Sequence, residues 1–309
     1  MIIDVHAHLM PDTYLAAAKT LGGSYEDRFV GHPDKISLDG RFAMMDEAGV
    51  SRQILSPTCA PYGDDESMTT TAAKLINDQF ATLQRAHPQK LAFWVSLPLP
   101  HVDAALAEID RGLDHLGGTG IVLGCFCLNE SIAQPKFEPI YDALNRRGAT
   151  IFLHPCQNGI CSSQVNEWGL TVCLGASLED SLSALHLIAR GIPSRYPNLR
   201  FIVPHFGGIL PTLLDRLDGQ MPRAELAEPP SVTAKGFYYD TVGWGSRAAL
   251  IAAIEAFGAR QLVTGSDFPI LLNHESYRQT FDHIRDSGLP ADVIDQILSN
   301  AARLLDERR

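Results

Sequence analysis

The sequence predicts a (β/α)8 barrel, and three observations predict it. Eight short runs rich in β-branched and aromatic residues recur along the chain, most segments between them have helical spacing, and no composition break divides the 309 residues. Most of the eight runs are continuously apolar rather than alternating, as parallel strands covered on both faces are. The length admits one large α/β domain or two ordinary ones, and 45% hydrophobic with 20% charged residues suffices for a large core. With no low-complexity stretch, one barrel domain over 1–309 is expected.

The first strand is IIDVHAH (2–8). The others are RQILSPT (52–58), LAFWVSLPL (91–99), GIVLGCF (120–126), TIFLHPC (150–156), RFIVPHF (200–206), FYYDTVG (237–243) and QLVTGSD (261–267). Between them, KFEPIYDALNRRG sets Phe137, Ile140, Tyr141 and Leu144 on one helical face and stops at Gly148. SLEDSLSALHLIARG predicts a helix with Ser177 as N-cap and Asp180 three residues on. It runs through Leu182, Leu185 and Ile188 to Gly191. Two connections, 9–40 and 157–176, are longer than a barrel requires and fall on the C-terminal face, where barrel enzymes build their sites. Trp168 and the cysteines of the second predict a packed lid.

Net charge is −11 and no Lys/Arg cluster is present, which argues against nucleic acid or an anionic membrane as partner while leaving a small anionic substrate open. No apolar run approaches the roughly 20 residues of a membrane span. The chain runs straight into IIDVHAH without the basic stretch of an export signal. Cys59, Cys125, Cys127, Cys156, Cys161 and Cys173 have no CxxC spacing and read as reduced core or pocket thiols. A cytoplasmic location is expected.

His6 and His8, two apart on a strand, point to one face. Were they metal ligands, partners should stand at the C-terminal ends of other strands, and His154, His205 and Asp267 do. The other seven histidines fall in predicted helices or loops. Nitrogen and carboxylate donors suit Zn2+, which in catalytic sites keeps about three protein ligands and an open position; Mn2+ or Fe2+ are alternatives. The fourth strand ends in GCFCLNE, without a lysine to bridge two metals, so one divalent metal is expected. Cys125 and Cys127 are read as sharing a strand face, with packing preferred to ligation.

These residues resemble the amidohydrolase superfamily. MDEAGV, HFGG, FYYDT, GSDFP and NAARLL, in that order, narrow the resemblance to its amidohydrolase-2 branch, home of 2-amino-3-carboxymuconate 6-semialdehyde decarboxylase and the non-oxidative aromatic-acid decarboxylases. The likeness covers essentially the whole chain. It implies that His6, His8, His154 and Asp267 hold a single divalent metal, and that His205 is the acid/base. It also implies that Arg41 and Arg216 clamp a carboxylate, the latter across a dimer interface. The His-x-His pair, where some aromatic decarboxylases have Glu-x-His, lies nearer the semialdehyde-decarboxylase pattern.

Loss of CO2 from an unsaturated acid needs electron withdrawal and then a proton, for which His205 and Asp267 are the candidates. Trp168, Trp244 and Phe268, with Phe126 and Phe206, are candidates for a flat apolar slot. The expected activity is a metal-dependent carboxy-lyase of a small conjugated or aromatic carboxylic acid, in a homodimer or higher homo-oligomer. The alternative is a hydrolase or hydratase of a lactone, amide or enol acid, since a metal also activates water.

Overall fold

A computed structural model of the chain describes residues 1–21, 36–156, 158–222 and 226–306. Eight parallel strands follow one another around a single sheet: β1 (Ile2–His8), β2 (Val50–Ser56), β3 (Leu91–Ser96), β4 (Gly120–Gly124), β5 (Thr150–His154), β6 (Arg200–Val203), β7 (Tyr238–Asp240) and β8 (Leu262–Val263). The sheet closes on itself. Val5 N–H donates to Thr264 O at 2.9 Å, Asp267 N–H donates to His6 O at 2.8 Å, and Ala7 bridges Phe268. The barrel is the predicted one.

β1 has its predicted bounds, but every other strand ends sooner than its apolar run. Pro57, Pro155 and Pro204 stand directly after β2, β5 and β6 and remove a ladder donor at that point. β8 is shortest, and Gly265 just beyond it passes close to its neighbours: a Cβ there would lie 3.0 Å from the Cβ atoms of both His6 and Asp240. Beyond β4 the chain forms a small antiparallel ladder, Phe126–Cys127 with Glu130–Ser131, so Cys125 and Cys127 do not share a barrel strand.

Ile54, Trp94, Val122, Phe152, Ile202 and Val263 pack as one buried cluster. The Trp94 indole N–H donates to Val5 O at 2.8 Å, so its polar edge is satisfied in the dry interior. Phe152 lies two residues before His154 on the same strand face, its ring centroid 4.9 Å from that of His6, and so forms the floor of the site.

Around the barrel stand α1 (Asp12–Thr20), α2 (Leu38–Ala48), α3 (Glu66–Ala86), α4 (Val102–Ile109), α5 (Glu138–Asn145), α6 (Ala176–Ala189), α7 (Leu214–Gln220), α8 (Arg247–Phe257), α9 (Gln279–Arg285) and α10 (Ala291–Asp306). α2 starts at Ser37, whose hydroxyl accepts from Gly40 N–H, and stops at Gly49 with φ +73°. α5 buries Ile140, Tyr141 and Leu144 as predicted, with Phe137 in the turn before it.

α6 departs from expectation. Ser177 is not its N-cap, because a π-helical turn, Thr171–Gly175, runs straight into the helix. Its buried face holds Glu179, Asp180 and Ser183 as well as Leu187 and Ile188, while Leu182 and Leu185 are half-buried. Contacts of the two carboxylates, not the apolar stripe, set its rotation. The combined run Thr171–Ala189, 19 residues, has the length and composition of a membrane-crossing helix, but it is interrupted by the buried Glu179 and Asp180 and is half buried inside the protein, as a core helix is.

The 9–40 connection contains α1, while 22–35, which include most of LGGSYEDRFVGHPDK, lie outside the described residues. In the 157–176 connection, short turns at Gly159–Cys161, Ser163–Asn166 and Glu167–Gly169 replace the packed lid. Trp168 is 92% exposed, with φ +58°, and Cys161 and Cys173 are exposed too.

Candidate metal centre and active site

β1 shifts register against β2 between Asp4 and Ala7, and such irregularities beside active sites re-aim side chains. The ligand atoms of His6, His8, His154 and Asp267 all lie within 4.8 Å of one another. His6 Nε2 faces His8 Nε2 at 3.0 Å, and Asp267 Oδ1 lies 3.3 Å from the first and 3.0 Å from the second. The three histidines are buried; the Asp267 side chain is 13% exposed and the neighbouring His205 side chain 17%, so these two meet the opening.

The outer nitrogens are already committed. His6 Nδ1 donates to Asp240 Oδ2 at 2.6 Å, and His8 Nδ1 lies 3.2 Å from Ser56 O. Both Nε2 lone pairs therefore point at the shared centre, the arrangement that metal-bound histidines adopt with carboxylate and carbonyl partners. Burial lowers the His6 pKa, but the negative charges of Asp240 and Asp267 outweigh it and raise it to about 9. Burial, with His8 and His6 nearby, pushes His154 well below the ordinary histidine range. Against burial, the His6 charge and the nearby ring nitrogens of His205, His6 and His8 hold Asp267 well below the usual carboxylate range. Imidazole nitrogens that face one another beside a carboxylate, all within 4.8 Å, form a donor set that a divalent cation fits.

His205 stands apart from this set. Its Nδ1 donates to Asp180 Oδ2 at 2.8 Å, its Nε2 lies 4.0 Å from Asp267 Oδ2, and its ring centroid is 5.4 Å from that of His6. Its backbone N–H donates to Asp240 Oδ1 at 2.8 Å, so Asp240 ties a candidate ligand to a candidate acid. Burial lowers the His205 pKa, but the charge and hydrogen bond of Asp180 raise it well above the ordinary value. His205, Phe206 and Asp267 all hold left-handed φ values (+53°, +55° and +55°), and such strain in non-glycine residues collects at functional sites.

A buried polar network backs the centre. Asp4 accepts from Ser266 Oγ at 2.6 Å, Tyr277 Oη at 2.8 Å and Gln53 Nε2 at 3.2 Å. Burial raises its pKa to about 6 against those bonds. Arg41 donates to Gln53 Oε1 and to His8 O, both at 2.8 Å, with its guanidinium 4.4 Å from the centroid of the buried Phe268 ring. Arg216, on α7, is exposed and donates to Gln220 Oε1 at 3.0 Å; the described residues of one chain do not bring it to the centre. Trp244 is 53% exposed and its ring lies 4.2 Å from that of His274, while Phe126 and Phe206 are buried. The sequence reading gave Asp180 only a capping place beside Ser177 and did not single out Asp240. Asp240 carried a signal, as a carboxylate at a strand end inside FYYDT; the signal Asp180 carried, its spacing from Ser177, pointed to helix capping and not to the site.

Comparison with known proteins agrees with this architecture. The amidohydrolase family model Amidohydro_2 matches residues 3–306. The 6-methylsalicylic acid decarboxylase of Penicillium expansum is 29% identical over 314 residues, 97% of this chain and 94% of that one. The 2-amino-3-carboxymuconate-6-semialdehyde decarboxylase of Dictyostelium discoideum is 24% identical, covering 92% of this chain and 86% of that one. The crystal structure of a dihydroxybenzoic acid decarboxylase from Polaromonas sp. JS666, with bound manganese and 2-nitroresorcinol, superposes with a TM-score of 0.84 at 21% identity over 100% and 97% of the two chains. The chain belongs to the Amidohydro_2 amidohydrolase family.

Proposed function

We infer that this protein is a metal-dependent, non-oxidative decarboxylase of a small aromatic or conjugated carboxylic acid. The observation that carries the reading is the convergence of three histidines and Asp267 with His205 beside them at the barrel mouth. The decarboxylase relative from Penicillium expansum supports the reaction type. His6, His8, His154 and Asp267 hold one divalent cation, which we assign as Zn2+ from the donor set, with Mn2+ the alternative. When bound, the cation supplies electron withdrawal as a Lewis acid.

The protein's own part is to bind, orient and protonate. The His205 side chain, favoured in its charged form, presents Nε2 toward the opening and delivers a proton to the carbon that loses CO2; a positioned acid typically contributes about 10²–10⁴ in rate. Asp267, 4.0 Å away, stabilises the imidazolium, and His205 is recharged at Nε2 by a proton from solvent through the opening. With the Arg41 nitrogens turned to Gln53 and His8, Arg41 holds Phe268 as a wall of the slot. The carboxylate clamp then falls to the exposed Arg216 of a second copy in a homodimer, with Trp244 and Trp168 at the rim. Six free cysteines suit a reducing cytoplasm.

Incubating fully metal-loaded protein with phenolic and muconate-type acids should release CO2 from at least one. No CO2 from any of them would reject the reading, and entry of oxygen from labelled water into a product would identify a hydrolase or hydratase instead.

A further inference from the structure

We propose that Asp180 is a positioning residue for proton transfer: from α6 it fixes the His205 ring in the one tautomer and orientation that turn Nε2 to the reacting centre. The inference rests on the reading of His205 as the acid.

Asp180 is completely buried, and burying a carboxylate is costly unless it is paired. Among the described residues its hydrogen bonds are two: Oδ2 accepts from His205 Nδ1 at 2.8 Å, and Oδ1 accepts from Cys125 Sγ at 3.6 Å. The structural work on this turn of α6 belongs to its neighbour. Glu179 accepts the backbone N–H groups of Cys156, Asn158 and Gly159 and so anchors the connection after β5. Asp180 accepts no backbone N–H in that set. Among the described residues this buried carboxylate caps no helix, anchors no loop and has His205 as its one strong partner.

His205 needs such a partner. Its left-handed backbone (φ +53°) is held by the Asp240 bond to its N–H, which leaves the ring free to turn about its side-chain bonds. A neutral imidazole carries its proton on either nitrogen. An acceptor at Nδ1 selects the Nδ1–H form when the ring is neutral and holds Nε2 toward Asp267 in either charge state. After Nε2 has given its proton to the substrate carbon, the ring is the neutral Nδ1–H tautomer, stabilised by Asp180, and Nε2 is the atom to be reprotonated.

The test uses the full-length protein labelled with 15N in histidine, with His205→Asn to identify the His205 signals. In long-range 1H–15N spectra of the metal-free protein, wild type should show a His205 Nδ1-bound proton. Asp180→Asn, which keeps the side-chain volume, should lose that signature, lower kcat at least tenfold in the metal-loaded form and leave KM and the metal dissociation constant within about threefold. Asp180→Glu should recover part of kcat. A wild-type His205 protonated only on Nε2, or an Asp180→Asn enzyme with kcat within threefold of wild type, would overturn the proposal. The tautomer spectrum needs no substrate, so failure to find a decarboxylated acid rejects the functional reading without touching this measurement. If the Asp180 variants do not fold, the wild-type spectrum decides alone.

Discussion

His205 and the four converging donors divide the labour of the site, and the division is measurable residue by residue. His205 lies outside the four converging donors, with Nε2 4.0 Å from Asp267 Oδ2, so His205→Asn should keep the metal and lower kcat by at least about a hundredfold. Asp240 is the opposite case. It holds His6 Nδ1, and Asp240→Asn should weaken metal binding by about ten- to a hundredfold, the usual cost of losing a carboxylate behind a ligating histidine. Metal analysis after dialysis, with kcat on the same samples, separates the two; a His205→Asn protein stripped of metal would reverse the assignment. The five strand-end residues were legible because strand position is local: the side-chain period of two and the end of an apolar run place them at one mouth. Their partners were not. A carboxylate that meets His6 from 234 residues away, or His205 from 25, is selected by packing.

Among the elements, the turn after β6 decides how near α6 can stand. Gly208 there has φ +63°, and a Cβ on it would lie 2.1 Å from the carbonyl oxygen of Ser177 on α6. Gly208→Ala should therefore destabilise the protein by about 1–3 kcal/mol or more, read as a lower urea midpoint at unchanged slope, because backbone atoms rather than a flexible side chain must move. A midpoint equal to wild type would mean that α6 can be displaced freely. The same element shows how periodicity misleads. Leu182, Leu185 and Ile188 predicted the inward face of α6, yet Glu179, Asp180 and Ser183 turn inward beside Ile188 and Leu187. The hydrogen bonds of Glu179 and Asp180 to the strand-end loops outweigh the small gain of turning Leu182 and Leu185 fully inward. Trp168 misled in the other direction: size and apolarity suggested packing, but a left-handed backbone turns it out to solvent.

For the whole molecule, the centre joins the first strand to the last. β1 and β8 close the barrel through Asp267 N–H to His6 O, and His6, His8 and Asp267 are the residues a cation would cross-link from either side of that seam. Removing the metal should therefore lower global stability. A ligand bound only by the folded state adds about 4 kcal/mol at a thousandfold excess over its Kd. Thermal unfolding of chelator-treated protein should start well below that of the metal-loaded form and return on adding Zn2+ or Mn2+; identical transitions would mean that the seam does not depend on the ion.

Strand count, closure and the choice of reactive end are properties of local pattern, and the sequence by itself determined them: apolar runs of strand length, helices of ordinary spacing between them, and histidines and an aspartate where each run stops. Which carboxylate stands behind which histidine, how α6 is turned, and which tryptophan meets water were decided by the tertiary structure alone. The physical reason is that hydrogen bonds and burial depend on the docking of whole elements, a sum over many remote contacts that no short stretch of chain contains.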